Sequence, residues 1–161
     1  MTFKELLIKL DACQSAREWA KDMPIEELVA TCHRGDWLLW LAKRVDVDLR
    51  LRTLAKGHCA NTVRQLMTDE RSINAVDVAI AFGEDKATRE ELDAAYAAAF
   101  AAAFAAGFAV DFAAVAAAYA ADAAADFAVA DYAANRKQTA DICRQYIGEA
   151  LIEKVNQLLT K

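Results

Sequence analysis

Residues 94–134 read AAYAAAFAAAFAAGFAVDFAAVAAAYAADAAADFAVADYAA, with 25 alanines in 41 positions, and Tyr96, Phe100, Phe104, Phe108 and Phe112 stand four apart. Alanine has the best intrinsic helix propensity and gives up no side-chain entropy, so this stretch is expected to be helical before any tertiary contact is counted. At about 100° per residue a step of four drifts by about 40°, so the five rings spread over nearly half the cylinder and leave the other side bare alanine. The segment is low in complexity yet ordered by propensity. It offers two packing surfaces, one toothed with rings and one flat enough for a second helix backbone to approach closely. Asp111, Asp122 and Asp126 fall in the sector of Phe104, Phe108, Val115 and Tyr119, which one straight buried helix would not tolerate. A single helix from Thr88 to Lys137 would also be about 75 Å long. A break is expected near Gly107 or between Ala120 and Asp126, giving a helical hairpin, unless the exposed part packs on a second chain. Self-association through these helices is the matching expectation.

Outward from this stretch the whole chain reads as helix. Five glycines and one proline, Pro24, leave little room for hairpins, and apolar residues recur at three and four rather than at two. The fold class expected is all-α: a bundle of short N-terminal helices, a long alanine-rich helix or helical hairpin, and a C-terminal amphipathic helix. It forms one domain over residues 1–161, with an N-terminal helical part at 1–82, the alanine-rich region at 88–134 and a closing helix at 136–160. Thr2 can cap a first helix that turns Phe3, Leu6, Leu7 and Leu10 to one side. A second helix, near Cys13 to Lys21, presents Cys13, Ala16 and Trp19 or Ala20. Pro24 opens the next at its favoured first-turn position, Gly35 closes it, and Asp36 caps DWLLWLAKRV. Leu51, Leu54, Thr62 and Leu66, with His58 or Ala55, make a stripe after Asp46. Asp69 to Ser72 turns into INAVDVAIAF, and Thr88 with Glu91 forms a capping box. In the closing helix Ile142, Tyr146 (with Ala150 or Ile147), Leu151, Val155 and Leu158 are in register and should fold back on the N-terminal helices.

Acidic residues outnumber basic ones 24 to 19, a net charge of -5, which argues against binding along a nucleic-acid polymer. Cys13, Cys32, Cys59 and Cys143 are widely scattered, and the charged start MTFKELLIKL does not read as a signal peptide, so they are expected to be reduced, buried thiols of a cytoplasmic protein. Ala94 to Val110 carries no charge, but it is shorter than the roughly 20 residues a span needs and Asp111 ends it. No membrane span is expected.

A search for chemistry is mostly negative. There is no phosphate-cradling glycine loop and no nucleophile elbow, and Ser15 and Ser72 have no histidine in sequence context. Cys32-His33 and His58-Cys59 offer zinc-type ligands, but neighbours on a helix point about 100° apart and would not reach one ion. Asp111 and Asp122 would lie about 16 Å apart on a helix, too far to share a cation. Catalytic residues, a metal and a cofactor are therefore not expected, and the chain reads as a non-enzyme.

One constellation stands out: CHRGDWLLWLAKR, followed by RVDVDLRLRTLAKGHC. Trp37 and Trp40 share a helix face, with Leu41 and Arg44 a turn on. From Arg34 to Arg64 there are seven Lys or Arg against three Asp. The two tryptophans can be core anchors; alternatively Trp19, Arg34, Asp36, Trp37, Trp40, Arg44, Arg50 and Arg52 are the residues of a binding site. A cationic cleft rimmed by indoles would suit a phosphate-bearing small molecule or an acidic protein surface.

These same residues carry a family resemblance. Cys13 with Ser15-Ala16-Arg17-Glu18-Trp19, Cys32 with Arg34-Gly35-Asp36-Trp37-Leu38-Leu39-Trp40-Leu41, the alanine-rich stretch, and Ala140-Asp141-Ile142-Cys143-Arg144 are similar to the fifth family of predicted immunity proteins, known from bacterial polymorphic toxin systems and bacteriophages. The resemblance covers most of the chain and is strongest at Gly35-Asp36-Trp37 with Trp40. It implies an all-helical fold and a protein partner, a toxin or host defence component, that the chain neutralises. The alternative is a binder that sequesters a nucleotide-like immune signal through the arginines and tryptophans.

Overall fold

The computed structural model describes residues 1–105 and 132–160. Among them there are helices, turns and no strand. The α-helices are α1 (Phe3–Lys9), α2 (Gln14–Ala20), α3 (Ile25–Thr31), α4 (Gly35–Arg44), α5 (Leu49–Asn61), α6 (Glu70–Gly83), α7 (Arg89–Ala105) and α8 (Tyr132–Leu159), with a 3-10 turn at Arg64–Leu66 between α5 and α6. The positions proposed for a break, Gly107 and Ala120 to Asp126, lie outside the described residues, as do Asp111, Asp122, Asp126 and Asp131.

Helix starts follow side-chain chemistry. Thr2 and Glu5 form a reciprocal capping box on α1, with Glu5 N–H donating to Thr2 Oγ1 at 3.2 Å and Thr2 N–H to Glu5 Oε2 at 2.8 Å. Thr88 and Glu91 do the same on α7 at 3.2 and 2.7 Å. Asp48 and Asp69 cap α5 and α6, each accepting a backbone N–H two residues on. Asp11, Asp46 and Asp85 end helical segments in the left-handed region, with φ of 60°, 57° and 60°. Aspartate tolerates this conformation better than most residues, so few glycines are needed to stop the helices.

α8 lies against α3, α4 and α5, while α5 packs on α6 and α6 on α7. The main core joins Phe3, Leu6, Ile25, Leu38, Leu39, Ile147, Leu151 and Val155 across α1, α3, α4 and α8. Along α8 the buried line is Thr139, Cys143, Ile147, Leu151 and Val155, a spacing of four that keeps one face inward. Ile147, Leu151 and Val155 are as expected, whereas Ile142 and Tyr146 flank the core. The helix also begins at Tyr132 rather than 136.

Several expectations are corrected. Gly35 does not close α3, which stops at Thr31; it is the first residue of α4. A Cβ there would come within 2.8 Å of the Thr139 carbonyl carbon on α8, so glycine is required by the close crossing of α4 and α8. Asp36 does not cap α4; Arg34 stands at the cap position, without a side-chain cap hydrogen bond. Pro24 is the residue before α3 rather than within its first turn. The apolar stripe expected on α5 is not the buried one. α5 buries Thr53, Ala55, Gly57, Cys59 and Ala60, because it is sandwiched between α6 and α8 and needs small residues on both sides, and Leu66 is 47% exposed.

In the described part of the alanine-rich stretch, alanines and the half-buried Tyr96 face α6. Leu92, Ala95 and Ala99 of α7 are buried, and Ala95 and Ala99 pack against Ala75 and Val76 of α6. Phe100 is 40% exposed. No helix among the described residues is long and apolar enough to cross a membrane.

Candidate functional site

The N-terminal helices enclose a cleft of about 290 Å³. α1 contributes Leu7, and the turn after it Asp11 and Cys13. α2 contributes Ala16, Trp19 and Ala20, α3 contributes Leu28 and ends at Cys32, and α4 contributes Asp36, Trp37, Leu38, Trp40 and Leu41. Trp19, Trp37 and Trp40 are half-buried and pack against the main core while lining the cleft. The two readings of the tryptophans therefore meet: the rings anchor the core on one side and wall a hollow on the other. The Trp19 and Trp37 ring centroids are 5.9 Å apart at an angle of 56°. His33 sets its ring edge-on to Trp19 at 6.0 Å and tilted to Trp37 at 6.4 Å. These separations suit the ring quadrupoles.

Arg34 and Arg44 stand at the rim. The Arg34 guanidinium lies 4.8 Å from the Trp37 ring centroid, and Arg44 lies 5.4 Å from that of Trp40. Arg34 also grips Asp36 with two hydrogen bonds, Nε to Oδ1 at 2.7 Å and Nη2 to Oδ2. The remaining two candidate arginines do not join them. Arg50 on α5 stacks 4.2 Å above the Phe82 ring, pairs with Asp85 at 3.0 Å and donates to the Phe82 carbonyl. It is drawn to the carbonyl-rich end of α6, where a cation is favoured. Arg52, also on α5, has a buried Nε without a hydrogen-bond partner and does not line the cleft. Of the expected cationic cleft, Arg34 and Arg44 supply the rim, while among the described residues the lining includes two carboxylates and three indoles but no basic side chain.

The cysteines divide sharply. Cys13, expected to be buried, is exposed, because it stands just before α2 rather than on its inner face. Its thiol is pulled below the ordinary value of 9.0, first by a hydrogen bond with the Ser15 hydroxyl and then by the Ala16 backbone N–H. Cys32 is buried and pushed up to about 11 by desolvation. Cys59 and Cys143 bury their sulfurs 3.9 Å apart. The Cys143 thiol is raised well above the ordinary range by that contact and by burial. Cys59 donates to the Thr139 carbonyl and Cys143 to the Gly35 carbonyl, so both act as packing groups between α4, α5 and α8. No group of three or more His, Cys, Asp or Glu is placed to hold a metal among the described residues.

A second hollow lies between α5 and α8, where His58 stacks flat on Tyr146 with centroids 4.6 Å apart. Asp11 and Cys13 are among the cleft residues that the sequence does not mark as site residues. Asp11 gave no signal beyond a break in periodicity; Cys13 immediately before a helix with Ser15 two residues on was a readable sign of an activated thiol.

The chain matches no protein-family model, no curated protein and no solved structure.

Proposed function

We propose that this chain is a non-enzymatic binding protein of the cytoplasm that neutralises a toxin or a host defence component, and that it does so by receiving a side chain of that partner in the indole-lined cleft. The observation that carries the reading is the cleft itself. Three half-buried tryptophans on α2 and α4 surround a hollow of about 290 Å³ at the surface of a well-packed core. Tryptophan is enriched at the centres of protein interfaces, where a pocket receives one anchoring side chain from the partner. Two of the walls are held from behind: α4 crosses α8 closely at Gly35 and Thr139, and Arg144 donates to the Cys32 carbonyl at the end of α3 at 2.6 Å. A preformed pocket of this kind lowers the ordering cost of association.

The test is capture from extracts of the native host with wild-type chain and with Ala16→Leu, which fills the cleft from its α2 wall and replaces no buried residue. A protein retained by the wild type, lost with Ala16→Leu, and whose toxicity or defence activity is suppressed by co-expression of the chain supports the reading. Equal retention by both chains, or retention without suppression, overturns it.

A second reading, sequestration of a nucleotide-like signal, is favoured by the exposed ring faces and by Arg34 and Arg44 at the rim. A nucleotide at 100 times its Kd would add about 2.7 kcal/mol of stability. Thermal-shift screening with cyclic and linear nucleotides checks this, and no shift with any of them removes it.

A further inference from the structure

The charge of the cleft identifies the kind of side chain it would take. Asp11 and Asp36 line it together with Trp19, Trp37 and Trp40, and its described lining residues include no lysine, arginine or histidine. Asp36 is engaged by Arg34. Asp11 is exposed, sits in the left-handed turn between α1 and α2 with φ of 60°, and forms no ion pair among the described residues. The ring faces at this rim already accept guanidinium groups: Arg34 lies over Trp37 and Arg44 over Trp40. Trp19 carries no such cation among the described residues. Asp36 is neutralised by Arg34, and Arg34 and Arg44 cover the Trp37 and Trp40 rings, so the groups left open in the lining are the Trp19 ring and the Asp11 carboxylate. An incoming cation meets one carboxylate without an ion pair and one indole without a cation over it, and the net charge of -5 favours its approach.

We infer that the cleft receives a cationic side chain on an apolar stem, an arginine or lysine presented by the partner protein. The methylene stem lies against the indoles and Leu41 while the charged head reaches toward Asp11, the arrangement in which long basic side chains bury their stems and keep their heads solvated. This rests on the reading that the cleft takes a partner side chain, and it adds the sign of the charge. The partner surface that docks here is accordingly basic.

The experiment follows the three indole N–H signals of the 15N-labelled chain by NMR during addition of N-acetylarginine methylamide or of its neutral comparator, N-acetylnorleucine methylamide. The arginine amide is expected to move the Trp19, Trp37 and Trp40 signals with a midpoint about fivefold lower than the norleucine amide. Asp11→Asn keeps a residue that tolerates the left-handed turn and is expected to bring the two midpoints within about twofold. Equal midpoints in the wild type, or an arginine preference that survives Asp11→Asn, overturn the inference while leaving the cleft a receptor for apolar side chains. Absence of any indole response to either amide overturns the inference as well, and the Ala16→Leu comparison then decides the broader reading on its own.

Discussion

Gly35 shows how one position can serve two roles that the sequence does not separate. Its place between two helical segments reads as a stop signal, yet its conformation is helical and its need is for space, since a Cβ would press on the Thr139 carbonyl carbon at 2.8 Å and on Thr139 Oγ1 at 2.9 Å. Gly35→Ala would gain about 0.5–1 kcal/mol of helix propensity but lose about 1–3 kcal/mol to overpacking. The clash is against backbone, which cannot swing aside, so net destabilisation is expected, read as a lower midpoint in urea unfolding. At Asp69 the local chemistry sets a pH dependence. Hydrogen bonds from the Arg71 side chain and backbone hold its carboxyl at about 2, below the ordinary 3.8. The cap therefore supports α6 in full above the ordinary carboxylate value, and that support is lost as pH falls through about 2. NMR titration of the Asp69 carboxyl carbon should give this low midpoint, with fraying at the start of α6 following it. Among the thiols, native-state alkylation followed by mass spectrometry should mark Cys13 first. It is exposed with a depressed pKa, while Cys32, Cys59 and Cys143 are buried.

At the scale of elements, periodicity and capping were legible wherever they act locally. The Thr2 cap, the Thr88 capping box and the Leu151, Val155 line follow from spacing alone, and each is present. α5 was misread because its burial is decided by neighbours on two sides. A helix held between α6 and α8 buries glycine, alanine and cysteine, and its leucines fall to the margins. The described part of the alanine-rich stretch makes a related point: Ala95 and Ala99 of α7 are buried against α6, since small side chains let two helices approach closely. α8 holds the N-terminal helices together, so its buried line should be sensitive to truncation. Leu151 is fully buried, and Leu151→Ala is expected to cost about 2–5 kcal/mol, measured by chemical denaturation.

For the whole molecule, the site was half legible. Trp-x-x-Trp spacing puts the Trp37 and Trp40 rings on one helix face but leaves open whether they are core anchors or a wall, and both rings pack on the core and line the hollow. Arg34 and Arg44 reach the tryptophan rings while Arg50 and Arg52 do not, because a count of arginines along the chain says nothing of where their partners sit. Arg34 is matched to Asp36 and Arg50 to Asp85, and what faces the hollow is Asp11 and Asp36. The resulting picture is a helical body with an indole-walled cleft that has Asp11 in its lining and Arg34 and Arg44 at its rim. Cys13 lies in the lining of that cleft and reports on it directly. The decisive measurement is the alkylation rate of Cys13 in the free chain and in the presence of the protein captured from host extract. With that protein at about ten times its Kd, occupation of the cleft predicts a rate about tenfold lower; an unchanged rate would contradict the cleft as the binding site.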